Sequence, residues 1–145
     1  MTLTTHSVAG ALIAQTFVSM PYIGLPLALV SHFALDAIPH REYKTVAMFD
    51  SGGISTDKSL FSRPGIWHDL FKIGLDFLLG LVMIFLLAWV WGVTLNWVII
   101  VGGLAGMFPD FMQFVYSRFP VKPLAILQNF HVWIHTNKHL ERDNQ

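Results

Sequence analysis

In the stretch "SHFALDAIPH", residues 31–40, His32, Asp36 and His40 stand four residues apart. Side chains at i and i+4 share one face of a helix, so His32 and Asp36 can grip one cation from a single helix. Pro39 breaks the stripe and leaves the direction of His40 open. His131 and His135 repeat the i, i+4 spacing near the C-terminus, with His139 a turn further on. Imidazole and carboxylate are a ligand pair suited to zinc, and also to manganese or iron. The chain has no cysteine, so a metal site here is built from nitrogen and oxygen alone.

Three ionisable groups are expected where water is scarce: His32 about two turns before the end of its apolar segment, Asp76 inside "FKIGLDFLLGLVMIF", and Asp110 after Pro109 in "GGLAGMFPDFMQF", while His6 opens the first apolar segment. A charged side chain in mid-membrane costs about 2.5–3.5 kcal/mol on insertion scales. Such groups call for a partner, either a cation or one another. Blander readings stand beside this one. His6 would serve as an interfacial residue, His68 and Asp69 as an interfacial pair at a helix start, and His139 as a solvated side chain near "LERDNQ". Asp76 would pair with Lys72 on its own helix.

The elements that must position these groups are apolar helices. Apolar residues make up 54% of the 145 and charged residues 12%, about half the usual share for soluble domains. Mean hydropathy is +0.55. Four segments of about 6–20, 21–38, 69–91 and 95–116 read as transmembrane helices, the last two long enough for a core of roughly 30 Å. Pro21 suits the first turn of the second helix. Residues 41–66, with a Gly-Gly pair and scattered Ser and Asp, read as a polar loop, and residues 122–140 as an amphipathic C-terminal helix. The expected fold is therefore all-α: a polytopic membrane protein, one domain over residues 1–145. Gly102, Gly103 and Gly106 suit close helix packing, and Trp67, Trp89, Trp91 and Trp97 suit membrane-interface anchoring.

With four antiparallel spans, all nine basic residues fall toward one face, and the two turns near residues 18–24 and 91–97 hold none. The positive-inside rule puts that face, both termini and the long loop in the cytoplasm. The acidic residues and histidines gather at the same end, because four helix ends meet there. Nine acidic residues balance nine basic ones, so net charge offers no attraction for nucleic acid. The N-terminus lacks the basic region of a secretory signal and reads as part of the mature fold.

"TTHSVAGAL", "SHFALDAIPH" and "GMFPD" together resemble the small inner-membrane proteins described as membrane-bound metal-dependent hydrolases. That family carries an N-terminal His, a Ser-His-x-x-x-Asp-x-x-Pro-His segment and a Pro-Asp segment. The likeness covers roughly residues 5–40 and 100–115, and the C-terminal histidines match more loosely. The His32–His40 stretch is also distantly similar to a piece of the zinc-dependent phospholipase C and single-strand nuclease superfamily, which is all-helical. In that superfamily the second His lies further from the Asp than His40 lies from Asp36.

The resemblance implies an inner-membrane, metal-dependent hydrolase. The expected metal ligands are His6, His32, Asp36, Asp76, Asp110, His131 and His135, with Asp36 and Asp76 in the catalytic role and Zn2+ the first candidate ion, ahead of Mn2+ or Fe2+. An ester or phosphodiester, lipid-derived if the site lies just below the headgroups, is the expected substrate. Membrane lipids are the expected partners, nucleic acid is not, and oligomerisation is left open. The rival expectation is a metal-ion-binding or transport protein without hydrolysis, since intramembrane carboxylates and histidines also mark cation paths. A third is a structural membrane protein whose buried charges merely pair.

Overall fold

The computed structural model describes residues 2–38, 40, 45–50, 53–54, 56 and 60–136, with side chains at 49, 50, 53, 54, 135 and 136 excepted. The chain is all-helical apart from two two-residue strands. In order come α1 (Leu3–Thr16), α2 (Pro21–Asp36), β1 (Phe49–Asp50), β2 (Gly53–Ile54), a 3-10 turn at Leu60–Ser62, α3 (Ile66–Val90), α4 (Trp97–Arg118) and α5 (Lys122–Thr136). The strands pair antiparallel, Phe49 opposite Ile54.

Local chemistry accounts for the helix ends. The Thr2 side chain accepts from the Thr5 N–H and caps α1. Pro21 opens α2, where its missing N–H has no helical partner to lose. Asn96 Oδ1 accepts from the Val98 and Ile99 N–H groups and opens α4. Gly92, at φ 64°, closes α3, with the Gly92 N–H bonded to the Trp89 carbonyl and the Val93 N–H to the Ala88 carbonyl. That 6→1 and 5→2 pair needs a left-handed residue, which glycine adopts without a Cβ penalty.

Two helices, α3 and α4, are long and apolar enough to cross a membrane. Helices α1 and α2, with 14 and 16 residues, reach only about 21 and 24 Å at 1.5 Å per residue. Of the four expected spans, two correspond to helices long and apolar enough to cross; the other two are present as helices but are shorter than a bilayer core.

The centre of the fold is the seam between α1 and α4, and its small residues explain it. Gly10 and Ala14 lie one turn apart on α1, as do Gly102 and Gly106 on α4. A Cβ at Gly106 would collide with the His6 carbonyl oxygen, and one at Gly102 with the Ala14 side chain. Backbones this close trade side-chain volume for continuous van der Waals contact, as small-xxx-small pairs do. α2 packs against both helices, α3 against α1, and α5 against α4 and the end of α2.

The interior is polar at one end and the exterior is apolar. His6, Ser7, His32, Asp36, Asp69, Ser117, Gln128 and His131 are buried. Large side chains such as Leu78, Leu79, Val82, Phe85 and Trp89 stand exposed along α3, and Leu104, Phe108 and Phe111 along α4.

Candidate metal centre

Four helices deliver ligand-type atoms to one point. α1 contributes His6 from its first turns, α2 contributes His32 and Asp36 from its last, α4 contributes Asp110, and α5 contributes His131. His6 Nε2 lies 3.2 Å from Asp36 Oδ1. His32 Nε2 lies 3.0 Å from Asp36 Oδ2 and 3.6 Å from Asp110 Oδ1. His131 Nε2 lies 3.2 Å from Asp36 Oδ2 and 3.7 Å from Asp110 Oδ1. The His6 and His32 rings stack, with centroids 4.0 Å apart. His6, His32, Asp36 and His131 are all at most 2% exposed, whereas a quarter of the Asp110 side chain is open.

The atoms of this cluster pair with one another and could also hold a cation. Neither ring nitrogen of His6, nor Nε2 of His32, has an aligned hydrogen bond among the described residues. Buried polar atoms are seldom left so, since each such group costs about 1–3 kcal/mol. The N···O separations of 3.0–3.7 Å compare with tetrahedral ligand–ligand edges of about 3.3–3.6 Å for metal bonds of about 2.0–2.2 Å. Two triads, His6–His32–Asp110 and His32–Asp36–His131, have all their ligand atoms within 4.8 Å of one another. The donor set fits a divalent ion; which one is not specified by these atoms.

Surrounding groups orient the ligands. His32 Nδ1–H donates to the Gly106 carbonyl at 2.8 Å. That bond assigns the proton of the neutral ring to Nδ1 and turns a lone pair on Nε2 toward the two carboxylates. Gly106 therefore acts twice, admitting the α1 backbone and holding the α2 imidazole. Pro109, inside α4 and one turn before Gln113, has no N–H for the Ala105 carbonyl, so one helical hydrogen bond is missing near the cluster.

Gln113 extends the network outward. Its Nε2 donates to Asp110 Oδ1 at 3.1 Å and lies 3.1 Å from His131 Nε2, while its Oε1 accepts from Gln128 Nε2 at 3.3 Å. Neither glutamine stands out in the sequence. The available signal was spacing alone: Gln113 is three residues past Asp110, and Gln128 three before His131, so each shares its neighbour's helical face.

The remaining expected residues are placed as follows. His40 Nε2 lies 3.9 Å from Asp36 Oδ1, and its Nδ1–H donates to the Ile38 carbonyl at 2.7 Å. It flanks the cluster at the edge rather than joining its centre. The side chain of His135 and the whole of His139 lie outside the described residues. His68 is exposed.

Asp76 is not brought to the cluster. Its carboxylate accepts from the Leu3 N–H at 2.6 Å, the Thr4 N–H at 3.3 Å and the Thr4 hydroxyl at 2.6 Å. The reason is electrostatic: the first N–H groups of α1 have no intrahelical acceptor and carry the positive end of the helix dipole. The partner that a carboxylate in an apolar helix demands is thus a helix N-terminus. Asp69 meets the same demand through the chain at residues 46–48. Its Oδ2 accepts from the Val46, Ala47 and Met48 N–H groups at 2.9, 2.7 and 3.1 Å.

Fold and site together define a class: a small all-helical protein, with two helices able to cross a membrane and a buried His/Asp group able to hold a metal ion. Comparison with protein-family models, with curated proteins and with solved structures finds no match.

Proposed function

We propose that the protein is a membrane-embedded, metal-dependent hydrolase acting on an ester or phosphodiester at the cytoplasmic face, with zinc the first candidate ion. The observation that carries the reading is the convergence of His6, His32, Asp36, Asp110 and His131 from four helices, with buried imidazole nitrogens left without aligned hydrogen bonds. A divalent ion in such a nest would supply the Lewis acidity that makes water nucleophilic near neutral pH. His6, His32, Asp36 and His131 form the closed side of the nest. Asp110, partly exposed and held by Gln113, forms the side that a substrate reaches.

The membrane part of the proposal rests on surface chemistry. Apolar side chains cover the outside of α3 and α4, the reverse of a water-soluble helix pair. Exposed Trp67 and Trp89 mark the two ends of α3, about 33 Å apart at 1.5 Å per residue, close to a hydrocarbon core of about 30 Å. The clustering of basic residues argues for an inner-membrane protein with cytoplasmic termini, and α1 and α2 would then span by local thinning of the bilayer. A reporter fused after Gln145 should read as cytoplasmic; an external signal would overturn that orientation.

The hydrolase is tested on protein purified without chelator. Elemental analysis should find tightly bound metal, and a panel of lipid phosphoesters and carboxylic esters should yield a cleaved product that is lost in Asp36→Ala. Deep burial of four of the five ligands favours a second reading, a cation-binding or transport protein. Cation flux into liposomes, with no cleavage across the panel, would replace the first reading by the second. A protein with neither metal nor a response to chelator would end both.

A further inference from the structure

Helix α5 presents two unlike faces. Gln128 and His131 point inward and are buried, while Ile126, Phe130 and Trp133 form an exposed stripe at i, i+4 and i+7. Phe130 and Trp133 stack with ring centroids 6.0 Å apart, so the stripe is one continuous apolar ridge. Exposed Lys122 and Asn129 lie together on one flank of it.

Three observations bear on what covers this ridge. The chain leaves α4 at Arg118 and enters α5 at Lys122, so α5 begins where a candidate span ends. The link between them exposes Phe119 and Val121, which continue the apolar exterior of α4 onto α5. No acidic residue occurs between Asp110 and Glu141, whereas Arg118 and Lys122 stand at the corner. A basic corner, an apolar ridge and a polar flank are the makings of a helix lying in an anionic lipid interface.

We propose that α5 docks on the bilayer surface, with Ile126, Phe130 and Trp133 among the acyl chains and Arg118 and Lys122 against anionic headgroups, and that this docking holds His131 in the cluster. The inference rests on the membrane reading above. Among the described elements α5 packs chiefly against α4 and the end of α2. The lipid therefore serves as its outer wall. Burying a ridge of this kind draws on the same apolar transfer energy as core packing.

The absence of native cysteine makes the test direct. Single cysteines replace Ile126, Asn129 or Trp133, with Leu78 of α3 as reference, and each carries a nitroxide spin label in nanodiscs containing anionic lipid. Labels at 126 and 133 should be relaxed by oxygen and shielded from a neutral water-soluble paramagnetic chelate, and the label at 129 should show the reverse. Chelate access at 126 and 133 would overturn the proposal in favour of a solvated helix. Shielding from both agents with spin–spin broadening would overturn it in favour of a second copy of the chain. A chelate-exposed label at 78 would instead overturn the membrane reading itself. In the doubly substituted Arg118→Gln, Lys122→Gln chain, oxygen access at 126 should fall several-fold; no change would remove anionic headgroups from the proposal.

Discussion

At the scale of single residues, the cluster separates groups that sequence alone treats as equals. Asp36 touches the ligand nitrogens of three histidines, so Asp36→Asn should lose retained metal, read by elemental analysis of the purified protein. Asp76 is bonded to the start of α1. Asp76→Ala should therefore keep its metal but melt earlier, by the order of a lost helix cap, about 0.5–2 kcal/mol. Metal lost from the Asp76 variant, with its fold intact, would return that carboxylate to the ligand set. Gln113 touches Asp110 on α4 and His131 on α5, both candidate ligands. Outer-shell partners of this kind typically govern affinity by about 10–100-fold, so Gln113→Leu should weaken metal binding by that factor in a competition titration with a chromophoric chelator.

At the scale of elements, the site depends on how near α1 comes to α4. Gly106→Ala drives a methyl group into the His6 carbonyl, and overpacking typically costs about 1–3 kcal/mol. The larger consequence is positional: His6 and His32 are both seated against Gly106, so the variant should melt earlier and bind metal poorly. Gly74 on α3 is the control, because nothing lies within 4 Å of its missing Cβ. Gly74→Ala should leave metal content unchanged and hold or raise the melting temperature, since alanine favours helix over glycine by about 0.5–1 kcal/mol. Equal damage from both variants would mean that the seam has no special role.

At the scale of the whole molecule, a cation would add a fastening to helices that already meet at the small-residue α1–α4 seam. An ion held by either triad would join ligand-type atoms from at least two of these helices, so unfolding would release it. Free metal at one hundred times its dissociation constant stabilises by about 2.7 kcal/mol. Addition of chelator should lower the melting temperature of the wild-type chain and leave that of the Asp36→Asn variant unchanged. A chelator response in both would place the stabilising ion elsewhere.

Much of the helical order is legible in the chain, because helix signals are local. Caps such as Asn96, the proline at the head of α2 and the glycine that closes α3 act within a turn of the backbone. The pairing of His32 with Asp36 is equally local, since i, i+4 geometry belongs to any helix. Antiparallel order also places the polar helix ends together, so the existence of a His/Asp meeting point is foreseeable. Which carboxylate attends it is not. Asp76 and Asp110 are both acids within apolar helices, yet one caps α1 and the other faces His32 and His131. That choice turns on the rotation of each helix about its axis and its shift along its neighbour. Gly10, Gly102 and Gly106 set both at the α1–α4 seam, where backbones meet without side chains between them. The same seam seats His32 against a carbonyl of α4, a contact between residues 74 positions apart that no local pattern encodes.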